Sequence, residues 1–96
     1  LRSLLDAGAR LVLGSDAPVA PLDPWQAIAA ATSRTRDARP AFHPEQAITI
    51  AEALAASTRT LVGLGEPADL IALDVDPLAA DGDALRRMPV ALTLLG

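Results

Sequence analysis

In Leu11-Val12-Leu13-Gly14-Ser15-Asp16-Ala17-Pro18, one carboxylate directly follows an apolar run broken by glycine and serine. Continuous rather than alternating apolarity predicts a strand covered on both faces. A carboxylate just past the C-terminal end of such a strand is where barrel enzymes hold catalytic groups. On spacing alone, Asp16 serves equally well as a residue whose side chain caps a turn. The acidic run Asp74, Asp76, Asp81 and Asp83 lacks the central Gly and terminal Glu of a calcium-binding loop, and reads as a solvated turn. His43, the single histidine, falls in a loop before a helix, as a solvent-facing or N-cap residue. With no cysteine, there is neither a disulfide framework nor a thiolate metal site.

The elements that must position Asp16 are those of an α/β fold. Leu1, Leu4 and Leu5 share a helical face and Gly8 supplies a C-terminal stop, so residues 1 to 8 read as the end of a helix. Leu11 to Leu13 then form the buried strand. Asp23 as N-cap with Pro24 at the first helical position starts a helix that runs to about Arg34. Residues 34 to 43 carry no hydrophobic period and read as an exposed connection. Thr49 and Glu52 have the spacing of a capping box and open a helix over Ile50 to Leu61. Asp69 to Asp74 and Val90 to Leu95 read as two strands that pair with each other, separated by turn signals at Pro77 and Gly82 and one helical turn from Asp83 to Arg87.

Composition bounds the partners. Ninety-six residues suit one small domain. Hydrophobic residues make up 51% of the chain, but many are alanines that bury little area, and the aromatics are only Trp25 and Phe42. The core is therefore expected to be thin and to lean on a larger body. A net charge of −4 without a basic cluster argues against nucleic acid. Apolar stretches far below the ~18 residues of a membrane span argue against a bilayer, and the chain reads as cytoplasmic. Leu at the first position and Gly after the apolar run at the end give both termini the look of a cut from something longer.

Four landmarks, in order, resemble the C-terminal part of the amidohydrolase superfamily, in its amidohydrolase family 3 group that includes the N-substituted formamide deformylases. Ala7-Gly8-Ala9 through Gly14-Ser15-Asp16-Ala17-Pro18-Val19 resembles the last barrel strand with its Asp. Ile28 to Arg34 resembles the following helix. Pro44-Glu45-Gln46-Ala47-Ile48-Thr49 with Glu52-Ala53-Leu54 and Thr58 resembles the next helices. Ala68 to Leu78 resembles the return to the small β-sandwich. Between Thr60 and Ala68 the chain departs from the family, which usually carries a longer passage ending in a Gly-x-x-x-Pro-Gly-Lys turn.

The resemblance implies an α/β C-terminal fragment of a TIM-barrel metal-dependent hydrolase. Residues 1–62 would end the barrel, and residues 63–96 would be part of the β-sandwich. It further implies hydrolysis of non-peptide C–N bonds of a small amide-type substrate. Asp16 would be both catalytic and metal residue, binding a divalent metal, zinc, in the full-length protein or taking the proton of its water. The family's paired His and other ligands match nothing in this sequence, so no metal is expected on this chain alone, which is expected to be inactive. The substrate stays open, because the loops of the other barrel strands are not in this sequence.

Leu70 to Asp76 also resembles the Asp-x-Asp motif of haloacid-dehalogenase-type phosphotransferases, opposed by Pro77 and Leu78 at the next positions. The competing reading is a non-catalytic truncated fragment or interaction module. In either case the expected partner is the missing N-terminal barrel portion, or a second copy recruited by exposed strand edges.

Overall fold

A computed structural model describes residues 1–96. Asp23 is extended, and its carboxylate accepts the Trp25 N–H at 3.0 Å. With Pro24 preset for the first turn, this starts the longest helix, Pro24–Ser33. Arg34 ends it in the left-handed conformation, φ 57°, with its N–H on the Ala30 carbonyl. The buried face of this helix carries Trp25, Ile28, Ala29 and Ala31.

In chain order the helices are α1 (Arg2–Asp6), α2 (Pro24–Ser33), α3 (Ile50–Ala55) and α4 (Gly82–Arg86), and the strands are β1 (Leu70–Leu73) and β2 (Val90–Leu94). None of the helices is long and apolar enough to cross a membrane. Ile48, Ala53, Leu85 and Met88 pack on the α2 face to form the core. Only 9 of 96 residues are buried, as thin as the alanine-rich composition implied. Alanines allow close approach: a Cβ added at Gly82 would lie 3.2 Å from the Ser33 Cβ, so the start of α4 is glycine where it meets the end of α2. Arg86 secures this contact, donating to Ser33 Oγ at 3.2 Å, to the Thr35 carbonyl, and to Asp83 at 2.9 Å.

The capping box of α3 forms as expected. Glu52 N–H donates to Thr49 Oγ1 at 3.2 Å, and the Glu52 carboxylate accepts the Thr49 N–H at 2.8 Å. The helix stops at Ala55 rather than Leu61. Ser57 folds its hydroxyl back onto the Ala53 carbonyl at 2.8 Å, and the β-branched residues Thr58, Thr60 and Val62 follow. Leu61 and Val62 are exposed, so no buried face sustains further turns.

Strands β1 and β2 pair antiparallel, Leu70 opposite Leu94 and Ala72 opposite Leu92, with an irregularity between Ala72 and Leu73. Their connection uses the acidic run locally. Asp76 accepts the Leu78 N–H at 2.9 Å, and Asp81 caps α4 by accepting the Ala84 N–H at 2.8 Å.

The strand expected over Leu11 to Leu13 is not formed. Val12 is 79% exposed, while Leu11 and Leu13 lean on the core. The segment's one long-range backbone hydrogen bond, from Leu13 N–H to the Ala56 carbonyl at 2.9 Å, goes to the C-terminal cap of α3 and not to a strand. A parallel strand takes its hydrogen bonds from neighbours on both sides, and here β1 and β2 pair only with each other. The result is a small α/β arrangement of four helices and two antiparallel strands.

Candidate functional site

Asp16 sits in the left-handed region, φ 55°, where short polar side chains are tolerated better than most. Its carbonyl accepts the N–H groups of Val19 at 2.9 Å and Ala20 at 3.4 Å, so the backbone closes the turn. Side-chain capping, the bland alternative for Asp16, is not what the turn uses. The carboxylate is exposed and has no hydrogen-bond or ion-pair partner in the chain.

This sets Asp16 apart from most of the other aspartates. Asp23, Asp76 and Asp81 cap helical turns. Asp6 pairs with Arg2, Asp37 with Arg39, Asp69 with Arg59 and Asp83 with Arg86. Asp74 is the other aspartate without a partner. The Asp-x-Asp motif ends in Asp76, already committed as a cap, so its two carboxylates do not form a phosphotransfer pair.

His43 is left-handed as well, φ 49°, at the entry to a short 3₁₀ turn, Pro44–Gln46. Its Nδ1 lies 2.7 Å from Glu45 Oε1, and its ring meets Phe42 edge-on with centroids 4.4 Å apart. Glu45's own backbone N–H, with His43 second, holds its carboxyl below the ordinary value. His43 belongs to this surface cluster. It occupies the cap position without making a side-chain cap bond.

No three His, Cys, Asp or Glu side chains come together in a way that would hold a metal ion. A catalytic zinc needs about three protein ligands, and Asp16 has none beside it. The residues of this chain therefore do not by themselves fit such an ion.

The sequence did not single out the cleft that the same turn helps to wall. It has a volume of about 660 Å³ and is lined, among others, by Gly14, Ser15, Asp23, Gln26, Arg36 and Arg86. No spacing rule links these positions, because the cleft exists only once α4 has packed on α2. A second groove of about 410 Å³, between residues 57–62 and the sheet, lies away from Asp16.

The amidohydrolase family matches the chain over residues 1–96. The N-substituted formamide deformylase of Arthrobacter pascens is 31% identical over 105 aligned positions, which take in 97% of this chain and 19% of that relative. The chain thus spans about a fifth of the length of that curated relative. No solved structure matches it. With the family matched from the first residue to the last and the Asp16 turn inside that match, this chain belongs to the amidohydrolase family.

Proposed function

We propose that this chain is the C-terminal part of a hydrolase that cleaves a non-peptide C–N bond, with Asp16 accepting the proton of the attacking water. The observation that carries the reading is the family match over all 96 residues, within which Asp16 presents an unengaged carboxylate from a left-handed turn. In this reading residues 1–62 complete a barrel and residues 63–96 contribute to a β-sandwich. The relative's name points to N-substituted formamides as the substrate class. Water would add at the formyl carbon, the C–N bond would break, and formate and a free amine would leave. The proton held on Asp16 would pass to the departing nitrogen, so the carboxylate is regenerated.

Amidohydrolases are generally metal-dependent, and a bound divalent ion such as zinc makes water a better nucleophile. Asp16 is this chain's candidate ligand for it. Further ligands would have to come from outside these residues.

The test uses the longer protein that contains this segment, assayed on a panel of N-substituted formamides and amides. Asp16→Asn keeps the side-chain shape and removes the proton acceptor, so turnover should fall about 10²- to 10⁴-fold with an unchanged circular dichroism spectrum. The 96-residue chain alone should show no turnover. A longer protein indifferent to Asp16→Asn would overturn the role given to Asp16.

A further inference from the structure

We draw no further inference here: the strongest candidate, the open groove between residues 57–62 and the β1–β2 sheet, with Leu61, Val62, Ile71 and Leu94 in its lining, is an unpartnered surface, and nothing in the structure shows what covers it.

Discussion

Arg2 and Glu52, 50 positions apart, meet through both terminal guanidinium nitrogens and both carboxylate oxygens, Nη1 to Oε1 at 3.0 Å. The same carboxylate accepts the Thr49 N–H and hydroxyl, so one side chain closes the cap of α3 and ties α1 to it. The Arg2 hydrogen bond first, and the Thr49 N–H second, hold the Glu52 carboxyl down at about 2, against an ordinary 4.5.

A depressed carboxyl pKa in the folded state stabilises the fold above the unfolded value and is lost as pH falls through the folded one. The Glu52 contribution should therefore be full above its ordinary pKa of 4.5 and drain away toward about 2. The group is solvent-accessible, so the effect is modest and salt-sensitive. Thermal melts at about pH 7 and about pH 3 should show the acid-induced loss reduced in Glu52→Gln, which is already destabilised at neutral pH. Equal acid sensitivity in both proteins would refute the assignment.

Leu85 is 1% exposed in the contact between α4 and α2. Leu85→Ala should cost about 2–5 kcal/mol, a large share of what any small domain possesses. Trp25, the single tryptophan, lies in the same cluster, so its emission reports the loss directly. Urea unfolding should give a much lower midpoint for Leu85→Ala than for Leu92→Ala, whose side chain is half exposed. Matching midpoints would show that α4 contributes little to the core.

The chain exposes 6821 Å², whereas a monomer of 9.9 kDa is expected to expose about 5200 Å². The surplus of roughly 1600 Å² is about twice the ~800 Å² that one partner buries in a standard interface. Val90, Leu92 and Leu94 stand partly exposed on β2, and both strands of the sheet have a free edge, which recruits further strands. The 96-residue chain should therefore associate as its concentration rises through the micromolar range. Leu92→Lys should shift it toward monomer. A compact monomer throughout, by sedimentation velocity, would contradict this.

Short-range chemistry was readable in the sequence. Asp23 with Pro24, and Thr49 with Glu52, place donors and acceptors within three residues of each other, so the starts of α2 and α3 follow from local geometry. The pairing of β1 with β2 follows from two apolar runs separated by turn residues. Asp16 could be named because it directly follows an apolar run, although its left-handed backbone was not foreseen.

Tertiary structure decided what depends on neighbours distant in sequence. Leu11 to Leu13 have strand-like composition, yet a strand needs a ladder of hydrogen bonds to a neighbouring strand, and none lies beside them. The end of α3 was decided by the absence of a surface to cover Leu61 and Val62. Arg2 on Glu52, and the cleft that Ser15 and Arg36 both line, arise only when segments distant in sequence pack. The physical reason is range: capping and turn energies act over a few bonds, whereas burial and charge pairing depend on which surfaces the fold brings together.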